Sequence, residues 1–179
     1  SLVPAHGLLL ASFSKVMAPG LRVGYLEASP QWLDKVAASI RADCWMVAPL
    51  MPEIVTDWLE SGVADQLIGL QRKRIAERLA LARRCLQDHP LRWTPDLAHL
   101  YLPLPSPWRN NTFASSLRQA GVQVRTMDHF AAGRIPVPHA VRISLNAARS
   151  REQLREGLRT IARMLQAPAA PPASIELPN

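Results

Sequence analysis

Lys15 follows hydroxyls at Ser12 and Ser14 and precedes, by seven residues, Arg22 in the run Pro19-Gly20-Leu21-Arg22-Val23-Gly24-Tyr25. The two cations sit among apolar, strand-like runs, Lys15 just after residues 8–13 and Arg22 within 21–26, where a buried cation without a partner would be expensive. Such a pair calls for an anion. A turn at Pro19-Gly20 folds the second strand back beside the first, so that Ser12, Ser14 and Arg22 form a compact phosphate cradle, with Lys15 at its edge as an amine nucleophile. The Ser-x-Ser-Lys tetrapeptide alone is also what the end of an edge strand looks like. The turn, the arginine at its offset and the second strand are separate requirements of one site, and together they favour the anion.

The elements that must hold these residues follow in order. After the two strands, Pro30 starts a helix over residues 32–40. Pro49 and Pro52 interrupt before a helix over 53–60, which Ser61-Gly62 ends. A long helix over 64–88 carries Ile68, Ile75, Leu79, Ala82 and Leu86 as one apolar stripe opposite Arg72, Lys73 and Arg84, the pattern of a helix that connects two bodies. Strands are expected at 91–94, 99–104, 122–126 and 141–145. Asn110 or Asn111 caps a helix that runs to Ala120 and stops at Gly121. Ser150 with Gln153 forms a capping box for a last helix whose core stripe is Leu154, Leu158, Ile161 and Leu165. Residues 167–179 carry four prolines and read as a disordered tail.

Composition narrows the class. The 179 residues are 48% hydrophobic and 6% aromatic, as in an ordinary soluble globular protein. A net charge of +7 and a pI near 10.4 invite a nucleic-acid partner. The basic residues, however, are mostly arginines spread over helices, with no aromatic interleaving and no zinc-finger or RNP pattern, so solvated helix faces account for them. Cys44 and Cys85 stand apart, and the five histidines show no ligand spacing with them, so the expectation is a reduced, metal-free cytoplasmic protein. No apolar run approaches a membrane span. The opening residues read as the middle of a longer chain rather than as a signal peptide.

The lysine segment resembles the pyridoxal-phosphate lysine segment of the fold-type I aminotransferases. Further strings extend the resemblance to residues 5–165, and they point to the MocR-type regulators, which join a GntR-type winged helix-turn-helix to an aminotransferase-like domain. These strings are Trp45-Met46-Val47-Ala48-Pro49-Leu50-Met51 with Glu53-Ile54, Trp58-Leu59 through Gly62-Val63-Ala64-Asp65, Pro107-Trp108-Arg109, and Pro138-His139-Ala140-Val141-Arg142-Ile143. The resemblance implies an α/β fold class: the end of the large domain of a pyridoxal-phosphate-dependent transferase, followed by a small α+β C-terminal domain. The corresponding divisions are 1–63 for the large-domain remnant, 64–88 for the connecting helix, 89–166 for the small domain and 167–179 for the tail.

The resemblance also assigns roles. Lys15 would be the Schiff-base lysine, because an imine needs a primary amine beside the cofactor's aldehyde. Ser12, Ser14 and Arg22 would hold the phosphate of pyridoxal 5'-phosphate, and Arg142 would clamp the α-carboxylate of an amino-acid effector or substrate. On its residues alone, Arg142 also reads as an arginine on the exposed face of an edge strand. Leu97-Ala98-His99 stands where the family often has a glycine pair, and Thr126-Met127 where it often has Pro-Gly; both bear on ligand choice. Other cofactor contacts of the family belong to its first half, which implies weak cofactor binding and no activity by these residues alone. The favoured reading is the effector-sensing part of a homodimeric regulator that meets DNA only through a missing N-terminal domain, sensing by transaldimination rather than turning over. The alternatives are part of a true class I/II aminotransferase, or a dimerisation body without turnover.

Overall fold

The computed structural model describes residues 7–133 and 136–166, so the expected tail at 167–179 lies outside the described residues. The chain divides into two compact units, Ser1–Lys73 and Arg74–Asn179. The division falls inside the long helix.

In the first unit, β1 (Leu8–Ser12) pairs antiparallel with β2 (Gly24–Ala28), with Ser12 opposite Gly24. The expected strands at 8–13 and 21–26 are therefore shortened at their facing ends. Between them lie a short helix, α1 (Phe13–Val16), and a 3-10 turn, Pro19–Leu21. Local bonding explains the change, because the Ser14 N–H donates to the Ser12 hydroxyl at 3.2 Å and so caps a helical turn. Met17 and Leu21 then turn inward. With Val23, Val55 and Ala64 they form a small core, against which Phe13, Ile54, Trp58 and Ile68 pack.

The helix α2 (Pro30–Cys44) begins with proline at its first position, as expected. The helix α3 (Leu50–Glu60) starts before Pro52, not after it. Proline is tolerated there because first-turn N–H groups have no intrahelical acceptor. The long helix α4 (Val63–Cys85) contributes its first turns to this unit and its last turns to the second.

The second unit is a four-stranded antiparallel sheet of order β3-β4-β6-β5, built from β3 (Arg92–Trp93), β4 (His99–Pro103), β5 (Arg125–Thr126) and β6 (Ala140–Ser144). On one face Leu100, Leu102, Val141 and Ile143 are buried in a core shared with Leu81 and Ala82 of α4 and with Leu86 just beyond it. The helices α5 (Asn110–Gln119) and α6 (Arg151–Gln166) complete it, and Phe113, Leu117 and all four expected α6 stripe residues are buried. Trp108 meets Phe113 edge to face at 5.1 Å.

The strand β5 is shorter than the expected 122–126 because residues 121 and 122 still belong to the helix end. Gly121, at φ 79°, donates to Arg118 O at 3.0 Å, and Val122 N reaches Leu117 O at 2.8 Å. This double closure needs a left-handed residue, which glycine supplies without strain. At α6 the Gln153 N–H donates to the Ser150 hydroxyl at 3.1 Å, while the Gln153 side chain accepts from Arg149 N rather than from the cap residue itself.

Candidate functional site

Lys15 sits in α1, between Ser14 and Met17, both of which face inward; Lys15 itself is exposed. Among the described residues it has no hydrogen-bond or ion-pair partner. Its base is firmly set: Met17 is buried, and its carbonyl accepts from the Gln71 side chain at 3.3 Å. The flexible amine is thus carried on a turn fixed at both ends.

Ser12, Ser14 and Arg22 lie at the same end of the ribbon. The Ser12 hydroxyl donates to Val23 O at 3.3 Å and accepts from Ser14 N, and Phe13 N donates to Val23 O at 3.1 Å. Arg22, the residue before Val23, is exposed and adopts the left-handed conformation at φ 52°, ψ 27°. For a side chain with a Cβ this costs about 1 kcal/mol or more. Glycine or asparagine would sit there more comfortably. Among the described residues no carboxylate pairs with Arg22. The Ser12 hydroxyl directs its one proton to Val23 O and Ser14 is buried, so of the residues expected to cradle a phosphate Arg22 is the one with donors left to offer an anion, with Lys15 one helical turn from Ser12.

Arg142 belongs to the second unit, near the middle of β6, and is half-buried. Its guanidinium lies over the Phe130 ring, 4.6 Å from the centroid, a contact worth about 0.5–1 kcal/mol when exposed and more when desolvated. Its Nε is buried and, among the described residues, has no acceptor. Register places Tyr101 directly opposite it on one side and Arg125 on the other.

Phe130 closes the 3-10 turn Met127–Phe130, which begins where Thr126-Met127 stands; the buried Thr126 hydroxyl bonds the His129 ring at 3.0 Å. Sequence reasoning missed Phe130, whose signal is an aromatic residue a few positions beyond a strand. Asn110, expected as a possible helix cap, takes a different place. That residue is not the cap of α5 but its first residue, following Arg109, and it is buried. Its side chain accepts from Ala140 N at 2.9 Å and donates to both Asp128 oxygens at 3.2 and 3.3 Å. The strings Pro107-Trp108-Arg109 and Pro138-His139 meet where the Arg109 guanidinium lies 2.6 Å from the His139 ring. An open concavity in this unit is lined by Arg83, Arg84, His89 and Trp93; Arg142 is not part of it.

The sequence profile of aminotransferase class I and II matches residues 3–161, so the chain belongs to that family. It is 27% identical over 165 residues to the uncharacterized HTH-type transcriptional regulator YdeF of Bacillus subtilis (strain 168), covering 92% of this chain and 36% of that protein. The kynurenine aminotransferase of Pyrococcus horikoshii matches in structure with a TM-score of 0.80 at 19% identity, covering 90% of this chain and 41% of that one. The α-aminoadipate aminotransferase LysN of Thermus thermophilus matches with a TM-score of 0.73 at 24% identity, covering 89% and 41%. These likenesses establish the aminotransferase fold. The chain spans about two fifths of the length of the proteins it matches. Among the described residues no helix is long and apolar enough to cross a membrane, and no acidic, histidine or cysteine cluster could hold a metal.

Proposed function

We propose that this chain is the pyridoxal-phosphate- and effector-binding part of a MocR-type transcriptional regulator, homodimeric and cytoplasmic, which meets DNA through a domain outside this sequence. The observation that carries the reading is the turn that gathers Ser12, Lys15 and Arg22, with Arg22 held left-handed. Likeness to an HTH-type regulator supports the regulatory side. Pyridoxal phosphate supplies an aldehyde carbon and an electron-withdrawing ring when bound. Arg22 would hold the phosphate by charge-assisted bonds, the Ser12 turn would shape the backbone around it, and Lys15 would supply the primary amine beside the aldehyde. Arg142 orients an amino acid by its carboxylate, in a planar two-pronged contact that lysine cannot reproduce.

A true aminotransferase is the second reading, favoured by structural neighbours that are aminotransferases. Both readings use the same attachment of cofactor to lysine. They part on turnover, which a regulator does not need.

The test uses the full-length protein. With pyridoxal phosphate it should show a visible absorption band, and borohydride should fix the cofactor to Lys15. Lys15→Ala should abolish fixation without loss of fold. Arg142→Ala should keep the band but weaken its response to an amino acid about tenfold to a hundredfold, the worth of a charge-assisted contact. Fixation on Lys35 or Lys73, the only other lysines, would overturn the assignment. Steady conversion of a 2-oxo acid would favour the enzyme.

A further inference from the structure

The sheet register sets four residues in one row on the face away from the core: Arg92 opposite Tyr101, Tyr101 opposite Arg142, and Arg142 opposite Arg125. Side chains directly opposite in an antiparallel pair share a face, with Cβ atoms about 5 Å apart, and like charges there repel. Arg142 and Arg125 are such a pair. The Arg142 guanidinium is fixed over Phe130, which limits its freedom to splay away. No carboxylate relieves the pair among the described residues. Asp128, nearest along the chain to Arg125, has both oxygens bonded by Asn110.

From this juxtaposition we propose that Arg125 is a specificity-determining residue, and that the ligand of this face carries two carboxylates. Arg142 takes one and Arg125 takes the other. The inference rests on the reading of Arg142 as a carboxylate-binding residue and adds to it the class of ligand, an acidic amino acid or related diacid. Two guanidinium ends on facing residues suit anionic groups separated by a short methylene chain. A ligand with one carboxylate would leave Arg125 repelling Arg142.

Calorimetric titration of the full-length protein with glutarate and with valerate tests this. Neither probe has an amine, so attachment to Lys15 cannot contribute. Glutarate should bind about tenfold more tightly than valerate at physiological salt. Arg125→Gln should remove that advantage and leave valerate unchanged; Arg125→Lys should restore part of it. Arg92→Gln, beyond Tyr101, should change glutarate binding by less than about twofold, because an exposed charge at that distance is largely screened. Equal affinities for the two probes in the unaltered protein, or equal losses from Arg125→Gln and Arg92→Gln, would overturn the role of Arg125. If Arg142→Gln alters neither probe, the carboxylate reading of Arg142 fails and the present inference fails with it. If Arg142→Gln weakens both probes while Arg125→Gln weakens neither, the earlier reading survives and this one does not.

Discussion

Arg22 carries a conformational cost in the fold that, on the proposed reading, serves a ligand. Its left-handed backbone at φ 52° strains any residue with a Cβ, whereas glycine adopts it freely. Arg22→Gly should therefore raise the midpoint of thermal unfolding, by about 1 kcal/mol of stability, while weakening cofactor binding through the lost charge. Arg22→Ala should weaken the cofactor equally and gain none of that stability. Calorimetric unfolding and cofactor titration of the two variants separate strain from charge. A loss of stability in the glycine variant would show that the Arg22 side chain supports the fold itself. Arg142 shows the complementary case, in which packing over Phe130 holds a cation half-buried, its Nε without an acceptor among the described residues.

At the scale of elements, Asn110 ties three segments together. From the first turn of α5 it bonds the start of β6 at Ala140, the carboxylate of Asp128 in the 3-10 turn, and Pro138 O at 3.4 Å. The turn ending in Phe130 is thereby anchored to the strand that bears Arg142. Replacing Asn110 with alanine leaves the Ala140 N–H and the Asp128 carboxylate without their partner, at a cost of about 1–3 kcal/mol. Chemical denaturation should show that loss, together with faster amide exchange across 127–130. A variant with unaltered exchange there would separate Asn110 from the positioning of Phe130. In the same unit, Arg78 of α4 donates to Leu145 O at 2.6 Å and Ala148 O at 3.0 Å, fastening the helix to the loop that follows β6.

For the molecule as a whole, apolar exposure is concentrated in the first unit. Leu8, Leu9 and Leu10 are all exposed along β1, and Trp45, Met46 and Leu50 lie at 76, 61 and 64% exposure in and beside the link between α2 and α3. A two-stranded ribbon is marginal by itself. The second unit, in contrast, closes its own core around Phe113, Leu145 and Leu158. We expect this unit, together with the last turns of α4 that supply Leu81 and Ala82 to its core, to behave as an autonomous domain. Limited proteolysis should cut first near Pro49, and mass spectrometry should recover a resistant product spanning the second unit. Early cuts between Val122 and Leu145 would count against that domain.

What the sequence by itself determined was local. Helix periods, the proline start of α2, the glycine stop of α5 and the stripe of α6 are written within a few turns of chain, where propensity and capping act between near neighbours. The lysine segment was legible for the same reason, since Ser12, Lys15 and Arg22 fall within one hairpin. Even there, the helical turn under Lys15 and the left-handed Arg22 emerged only once Met17 and Leu21 had a core to enter. Tertiary structure alone decided the surroundings of Arg142. Its neighbours Tyr101, Arg125 and Phe130 come from separate segments, and antiparallel register between distant strands depends on which faces find a common core. Periodicity could mark β4 and β6 as strands, but only the pairing of Leu100 with Ile143 and of Leu102 with Val141 on the buried face fixed which side chains share the other.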